Sequence, residues 1–212
     1  MLKVMTPSFF DEVARGRDGL SRVINSGVPD KDAETAAQKA AILQMFDAAE
    51  WPTLSFVDCG CGVGRLTPWL AKVGRQAVGL DWSDEMLRAA SLGEAAPELE
   101  YRKANIGAFP SDAIKGQMDV AFTWCVMIHL TDDAAWRNAC ANMRAWARES
   151  VLYCDKVNDN ATVDYVKVRD VGTIMGQFDE AHGFRLARAH KFVGYPEDEF
   201  ALLRFDRIDR EE

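Results

Sequence analysis

The residues best suited to chemistry lie at 58–64, where an acid is followed by three glycines at alternate positions. Asp58 closes a mostly apolar run at 54–57, and Gly60, Gly62 and Gly64 follow it. Apolar residues then recur at helical spacing, at positions 66, 69, 70 and 73. Because glycine adopts positive φ and carries no side chain, such a turn lets the backbone approach a ligand closely. The stretch predicts a buried strand, a turn that suits a nucleotide-like ligand, and the start of a helix.

The spacing of these glycines differs from the dinucleotide fingerprint. That fingerprint is G-x-G-x-x-G, in which the third glycine allows close packing of helix on strand. Counted from Gly60, the third position is Arg65, whose side chain is much too large for that role. The spacing therefore disfavours a dinucleotide. A glycine-rich turn without a ligand is the alternative, and a second motif at the expected distance argues against it.

That second motif is a short apolar run at 76–81 that ends in Asp81. Its separation from Asp58 is close to the roughly 20 residues at which an acid reaches a ribose in a βαβ unit. A carboxylate accepts charge-assisted hydrogen bonds from both ribose hydroxyls, and the Trp82 ring can cover an adenine. Ser83 is a good N-cap for a following helix. The alternatives are that Asp81 only caps this helix and that Trp82 only packs.

Together these motifs resemble those of the class I S-adenosylmethionine-dependent methyltransferases. Residues 57–64 are similar to the family's first motif and residues 79–87 to its second. Residues 103–110 are similar to the third, with Asn105 where the family usually has Asp, and residues 118–130 resemble the fourth strand and its exit. The resemblance covers residues 50–156 well and the C-terminal part more loosely. It implies S-adenosylmethionine as cofactor and S-adenosylhomocysteine as product.

The resemblance also implies roles for the matching residues. Gly60 and Gly62 would hold the methionine part of the cofactor, and Asp81 would bind the ribose hydroxyls. Trp124 would offer its backbone carbonyl to the methionine amino group. In this family the acid at position 58 more often braces the loop than contacts the ligand, and we expect the same of Asp58.

At the adenine end, Asn105 would accept a hydrogen bond from the exocyclic amino group, since its amide oxygen is an acceptor as a carboxylate is. The backbone amide of Ile106 would face a ring nitrogen. The full set of expected cofactor residues is Asp58, Gly60, Cys61, Gly62, Gly64, Arg65, Asp81, Trp82, Asn105, Ile106 and Trp124.

Two further residues, His129 and Asp155, are candidates for catalysis. A sulfonium methyl group is already electrophilic, so a base is needed only if the acceptor carries a proton. His129 has a suitable pKa range for that role, and Asp155, at the end of the predicted fifth strand, is the second candidate. Each has a structural alternative, a histidine bonded to backbone and an acid that braces a loop. Tyr165 is a candidate for lining the acceptor pocket, and so are Phe9 and Phe10 if the N-terminal helix acts as a lid. For each of the three, core packing or surface placement is the favoured alternative.

The elements that would position these residues alternate between strand and helix. We predict strands at 54–59, 76–81, 99–104, 118–124 and 150–155, and helices at 8–23, 32–49, 65–73, 83–91, 132–147 and 170–181. Such alternation indicates a parallel sheet with helices on both faces. Ligands of these sheets bind beyond the carboxyl ends of the strands, where the candidate residues fall.

The C-terminal part departs from this alternation. Two apolar stretches at 184–192 and 200–205 are joined by turn residues at 194–198, which predicts an antiparallel hairpin at the sheet edge. The predicted fold is therefore an α/β, Rossmann-like, doubly wound sheet of seven strands. It is mostly parallel with a C-terminal antiparallel hairpin, and helices cover both faces. We expect one methyltransferase domain over 1–212, with 1–50 as an N-terminal helical cap or lid.

Composition narrows the class of protein. A hydrophobic content of 48% and a charged content of 27% are globular values, and no apolar run reaches the ~18 residues of a membrane span. The N-terminus lacks an extended apolar segment, which predicts no signal peptide and a cytoplasmic protein. The five cysteines lack the C-x-x-C spacing of a zinc site. We therefore predict no metal and reduced thiols.

The net charge of −8 makes nucleic acid an unlikely partner, because proteins that grip its backbone usually show a basic stripe. Arg15, Arg17 and Arg22 form a local basic group, either a solvated helix face or a contact for an anionic substrate or the cofactor carboxylate.

The sequence thus predicts S-adenosylmethionine-dependent methyl transfer to a small-molecule acceptor, at an oxygen, nitrogen or carbon atom. Alternatives are a methyltransferase acting on protein or RNA, a cofactor-binding module without catalysis, and, less favoured, an NAD-type oxidoreductase. The oligomeric state is not predicted.

Overall fold

The chain is organised around a single sheet whose strands are linked by helices. The computed structural model describes residues 6–17, 20, 28–93, 95–114, 116–158, 163–194 and 197–208. In these ranges the helices are α1 (Pro7–Gly16), α2 (Lys31–Leu43), α3 (Thr67–Val73), α4 (Asp84–Ser91), α5 (Asp133–Trp146) and α6 (Val171–Met175). The strands are β1 (Ser55–Cys59), β2 (Gln76–Asp81), β3 (Leu99–Lys103), β4 (Met118–Trp124), β5 (Ala147–Lys156), β6 (Phe184–Gly194) and β7 (Asp198–Arg207).

The strand order is β3-β2-β1-β4-β5-β7-β6 in a 7-stranded sheet. The strands from β3 to β5 pair in parallel, whereas β7 runs antiparallel to both β5 and β6. The predicted fold class is therefore confirmed, including the C-terminal antiparallel hairpin.

Apolar side chains on the two faces of the sheet form two core clusters. Val57 and Cys59 of β1 pack in one cluster with α5, and Phe56 packs in the other with α2 and α3. Every residue of β1 and of β4 is buried. Strands covered on both sides in this way form near-continuous apolar runs rather than alternating ones, which is the pattern seen at 54–57.

The parallel pairing brings the carboxyl ends of β2, β1, β4 and β5 to one edge of the sheet. The register joins Cys59 to Leu80 and Trp124 to Cys154. The N–H groups of Gly60 and Cys61 both donate to the Leu80 carbonyl, at 2.8 and 2.9 Å. The glycine turn is thereby fixed against the end of β2.

Two helices are shorter than the sequence pattern predicts. The helix predicted for 32–49 ends at Leu43, whose carbonyl accepts a hydrogen bond from the Trp51 indole at 3.2 Å. Met45 and Phe46 beyond it are buried in the core instead of continuing the helix. The helix predicted for 170–181 is divided into α6 and a 3-10 turn at Glu180–His182, because the Asp179 carboxylate caps that turn.

Other boundaries differ by a few residues. β5 begins at Ala147, directly after α5, whereas the sequence pattern places its start at 150. The helix predicted for 8–23 is α1 as far as Gly16; most of the remainder, including Arg22, lies outside the described residues, as does the centre of the β6–β7 turn. No helix in the described part of the chain has the length and apolar character needed to cross a membrane.

Candidate cofactor and active site

A cavity of about 670 Å³ lies over the carboxyl ends of the parallel strands. This volume is within the range of small-molecule and cofactor sites. Of the residues expected from the sequence, the cavity is lined by Asp58, Gly60, Cys61, Gly62, Arg65, Asp81, Trp82, Asn105, Ile106, Trp124 and His129. Gly64 and Asp155 are not in its lining.

The glycine turn has the backbone conformation that the spacing predicts. Gly60, Gly62 and Gly64 have φ values of 82°, 55° and 74°, a region in which a Cβ is disfavoured. A Cβ at Gly60 would overlap the Val126 side chain, and one at Gly64 would overlap the Tyr101 ring. Gly64 therefore shapes the turn from behind the cavity wall.

Asp58 is buried behind the turn, with 4% of its surface exposed. Its Oδ2 accepts a hydrogen bond from Thr67 Oγ1 of α3 at 2.7 Å. Burial raises the pKa of this carboxyl to about 6, although the Thr67 hydrogen bond opposes the shift. This contact connects β1 to α3. It is the kind of contact expected of an acid that braces the loop.

Asp81 faces the cavity from the end of β2 and is tied to the backbone on both sides. Its Oδ2 accepts from the Gly62 amide at 3.0 Å, and its Oδ1 accepts from the Ser83 amide at 2.9 Å. Burial raises the pKa of this carboxyl above its ordinary value, and backbone hydrogen bonds from Ser83, Gly62 and Trp82 counteract it. A carboxylate offers about four lone-pair sites, so acceptor capacity remains for a ligand.

The expected adenine end is formed by residues after β2 and β3. Trp82 lines the cavity, and its ring lies 6.0 Å from that of Phe10. Asn105 is exposed at the cavity, and its Oδ1 accepts from the Gly107 amide at 3.0 Å. Ile106 is buried beside it. The Asn105 oxygen thus already holds one hydrogen bond and keeps a second lone pair.

Trp124 and Arg65 close the cavity near β4. The Trp124 ring is turned into the core and stacks on Phe192 at 5.8 Å, which leaves its backbone at the cavity. The Arg65 guanidinium donates to Gln38 Oε1 of α2 at 2.6 Å. Arg65 therefore ties the turn after β1 to the N-terminal region.

His129 lies in the 3-10 turn after β4, between aromatic rings of two segments. Its Nδ1 is 3.3 Å from the Tyr165 carbonyl oxygen, and its ring lies 5.7 Å from Phe10. Burial lowers the pKa of the imidazole, partly offset by the Tyr165 contact. A carbonyl only accepts, so this contact requires a proton on Nδ1, and a neutral ring then has its lone pair on Nε2.

Asp155 lies below the cavity and not at its surface, contrary to its expected position facing an acceptor. The side chain is 2% exposed, on the same sheet face as Tyr153. Tyr153 Oη donates to Asp155 Oδ2 at 3.3 Å and accepts from the Trp136 indole at 3.3 Å. Burial raises the pKa of Asp155 to about 8. The alternation of side chains along β5 places Lys156, and not Asp155, in the cavity lining.

Helix α1 covers the cavity and contributes a residue that the sequence analysis did not single out. Asp11 Oδ1 accepts from Ser83 Oγ at 2.5 Å and from the Glu85 amide at 3.3 Å, both at the start of α4. The Ser83 hydrogen bond lowers the pKa of Asp11. Phe9 and Phe10 line the cavity from this helix. The amphipathic pattern of residues 9–14 indicates that one side of this helix packs against the protein, but it does not identify the contact of Asp11 with the start of α4.

The far end of the cavity contains an ion pair that the sequence analysis also missed. Lys156 Nζ is 2.8 Å from Asp198 Oδ1, and both side chains are mostly buried. Phe200, the register partner of Lys156, and Tyr165 line the same end. The two charges are 42 positions apart in the chain and meet only because β7 pairs with β5.

The central part of the chain matches a known family of protein domains. Residues 56–150 match a family model described as a methyltransferase domain. The matched segment runs from β1 into β5 and includes the glycine turn, Asp81, Asn105 and His129.

Curated relatives match over a similar segment. The chain is 35% identical over 89 residues to a ubiquinone biosynthesis O-methyltransferase of Methylococcus capsulatus, and 36% identical over 89 residues to one of Shewanella halifaxensis. Each match covers 41% of this chain and 37% of the relative. The chain thus spans well under half the length of these relatives.

Solved structures share the fold over nearly the whole chain. The magnesium protoporphyrin IX methyltransferase of Synechocystis PCC 6803, crystallised with bound S-adenosylhomocysteine, superposes with a TM-score of 0.73. The superposition covers 94% of each chain at 17% identity.

Proposed function

We propose that this chain, whose residues 56–150 match a methyltransferase-domain model, is a class I S-adenosylmethionine-dependent methyltransferase that transfers a methyl group from S-adenosylmethionine to a small-molecule acceptor. The observation that carries the proposal is the joint geometry of Asp81 and the glycine turn. An acid at the end of β2 is bonded to the turn after β1, and both face one cavity. This is where ligands of open α/β sheets bind.

The residues present fit this cofactor. The turn at Gly60 and Gly62 gives a surface without side chains for the methionine part, and Asp81 keeps acceptor positions for the ribose hydroxyls. Asn105 and Ile106 are placed for the adenine edge, with Trp82 available to cover the ring. When bound, S-adenosylmethionine supplies an electrophilic methyl group, so the protein has to align a nucleophile rather than activate the donor.

The chain's contribution is mainly to orient and to exclude water. Phe9 and Phe10 of α1, Tyr165 and Phe200 surround the remaining part of the cavity with apolar surface. Holding two reactants in a productive geometry can account for ~7–11 kcal/mol of a reaction barrier.

His129 is the proposed base where the acceptor carries a proton. Its lowered pKa keeps the imidazole neutral near pH 7, and the Tyr165 carbonyl orients the ring with Nε2 free to accept. Asp155 lies outside the cavity lining, so we assign it to the support of β5 and not to proton transfer.

Several observations favour a small organic acceptor. The cavity is enclosed by aromatic residues, with the Lys156–Asp198 ion pair at its far end. The curated relatives carry the name O-methyltransferase, which favours an oxygen acceptor here. The net charge of −8 weighs against RNA.

The N-terminal helices are proposed to form a cap on this domain. Helix α1 is bonded to the start of α4 through Asp11 and adds Phe9, Phe10 and Val13 to the cavity wall. Helix α2 reaches the turn after β1 through the Gln38–Arg65 contact. These contacts, all made by described residues, support a cap within residues 1–50.

The proposal is tested in two steps. Calorimetry is expected to give saturable binding of S-adenosylhomocysteine and no binding of NAD. An assay for its release from S-adenosylmethionine, over phenols, hydroxy acids and amines, then identifies the acceptor class. Absence of cofactor binding would contradict the proposal, and binding without turnover across the panel and on protein or RNA substrates would favour a non-catalytic module.

A further inference from the structure

Cys125 has a backbone conformation that is rare for a residue with a side chain. It follows β4 directly and has a φ of 56°, in the left-handed region. A Cβ in this region is strained, and such strain is often found at functional sites. Cys125 is half-buried and lines the cavity. Cys125 therefore has its side chain at a position where glycine would adopt the backbone conformation with less strain.

A second thiol lies beside it on the neighbouring strand. The Cys125 amide donates to the Cys154 carbonyl at 2.9 Å, and Cys154 is the register partner of Trp124. Adjacent strands are about 4.8 Å apart, and a disulfide needs Cα atoms roughly 4.4–6.8 Å apart. Both side chains pack in the same apolar cluster, because the left-handed turn directs Cys125 to the face that Cys154 occupies.

The surroundings of the pair differ from those of the other cysteines. Arg65 lines the same cavity as Cys125. Reactive cysteines are typically partly exposed and close to a cation, often with a second thiol nearby. Cys59 and Cys140 are fully buried in the other cluster. All five cysteines are free thiols.

We propose that Cys125 and Cys154 are an oxidisable dithiol, a modification site in the cavity wall that a peroxide converts to a disulfide. Cys125 reaches the cavity, so its sulfur attacks hydrogen peroxide, forming a sulfenic acid and releasing one water. The Cys154 sulfur then attacks that sulfenic sulfur, forming the S–S bond and releasing a second water. Two thiols are oxidised and one peroxide is reduced, so the step balances.

The disulfide would alter the cofactor site. Trp124, whose backbone is proposed to hold the methionine amino group, is the last residue of β4 and directly precedes Cys125. A covalent link at the next residue changes the position of that backbone. Oxidation is therefore expected to weaken S-adenosylhomocysteine binding by at least about tenfold, reversibly with a thiol reductant. This consequence rests on the proposed function, whereas formation of the disulfide does not.

Peptide mapping tests the disulfide by itself. Trypsin places Cys125 in peptide 116–137, Cys154 in peptide 149–156 and Cys140 in peptide 138–144. After treatment of the full chain with hydrogen peroxide and alkylation of free thiols, the expected product is peptide 116–137 linked to 149–156. Cys125 recovered unmodified, overoxidised, or linked to Cys61 in peptide 40–65 would overturn the proposal.

Variants test the formation of the disulfide, and calorimetry tests its effect on cofactor binding. Cys125→Ser and Cys154→Ser should each abolish the linked peptide, while Cys140→Ala should leave it intact. Calorimetry before and after oxidation of the wild-type chain then measures the effect on S-adenosylhomocysteine. A linked peptide with unchanged affinity overturns the coupling to the cofactor site, and no affinity in the reduced protein contradicts the proposed function instead.

Discussion

At the residue scale, the Asp81 carboxylate connects two parts of the cofactor end. It accepts one backbone hydrogen bond from the glycine turn and one from the start of α4. In an asparagine at this position, an amide NH2 group replaces one carboxylate oxygen and faces a backbone N–H group, so that two hydrogen-bond donors oppose each other. The same change removes the charge that strengthens hydrogen bonds to a ribose.

We expect Asp81→Asn to weaken S-adenosylhomocysteine binding by about tenfold to 100-fold, the equivalent of one charge-assisted hydrogen bond or two. Isothermal titration calorimetry measures this. The matched control is Asp84→Asn, an exposed acid three residues later that pairs with Lys103. Equal affinity of Asp81→Asn and wild type would remove Asp81 from the ribose site.

Asp155 supports a prediction about pH and stability. Its pKa is about 8 in the folded protein against 3.8 for the ordinary carboxyl. The folded state therefore binds a proton that the unfolded state loses, so this residue's contribution to stability falls as pH rises from about 4 to 8. The fall is at most about 1.4 kcal/mol for each pH unit.

Asp155→Asn keeps a neutral side chain at every pH. Its free energy of unfolding relative to wild type is therefore expected to increase from pH 5 to pH 8, as measured by urea denaturation. Asp112→Asn, at an exposed position, serves as the control without such a trend. A difference between wild type and Asp155→Asn that does not vary with pH would show that the carboxyl is ionised throughout.

At the scale of elements, α1 is held over the cavity by few polar contacts. Asp11 bonds to Ser83 and to the Glu85 amide, and Arg15 lies 3.4 Å from Glu85. Aromatic contacts add to these, between Phe9 and the ring of Tyr165 and between Phe10 and the rings of Trp82 and His129. A helix of 10 residues is marginal by itself in water. Its position therefore depends on these contacts.

We expect Asp11→Ala to weaken S-adenosylhomocysteine binding about three- to tenfold, mainly through faster dissociation, because the helix that covers the cavity is released more often. Stopped-flow measurement of the intrinsic tryptophan fluorescence, to which Trp82 in the cavity wall contributes, gives the dissociation rate. Glu12→Ala, on an exposed position of the same helix, controls for loss of a charge. Equal dissociation rates in both variants would mean that α1 does not retain the cofactor.

Elements with strong local signals were predictable from the sequence, and long-range contacts were not. The strand, glycine turn and helix at 54–73 follow from residues that are adjacent in the chain. The end of α2 depends on Trp51, which bonds back to Leu43 from outside the helix. Whether Asp155 faces the cavity could not be read from the sequence, because the side-chain alternation of β5 is set by pairing with β4 and β7. The Lys156–Asp198 pair likewise exists only through that pairing.

At the scale of the whole molecule, a ligand that binds only the folded state stabilises it. At 100 times the dissociation constant the gain is about 2.7 kcal/mol, which for a chain of about 200 residues raises the melting temperature by about 5–10 °C. We expect S-adenosylhomocysteine to give this shift in differential scanning calorimetry. NAD at the same concentration is expected to give none, and the reverse result would contradict the cofactor assignment.

A continuous chain of hydrogen bonds joins the outside of the molecule to the glycine turn. It runs from Asp11 through Ser83 to Asp81 and on to Gly62. The contact between Asp11 and Ser83 holds α1 over the cavity. The contacts of Asp81 with Ser83 and Gly62 hold the part of the cavity proposed for the cofactor. Thermodynamic reciprocity then applies: if the cofactor favours the closed position of α1 by some factor, closing α1 tightens cofactor binding by the same factor. The acceptor, which shares the wall formed by Phe9 and Phe10, would then bind more tightly when the cofactor is present, and the cofactor more tightly when the acceptor is present, because both favour the same position of α1.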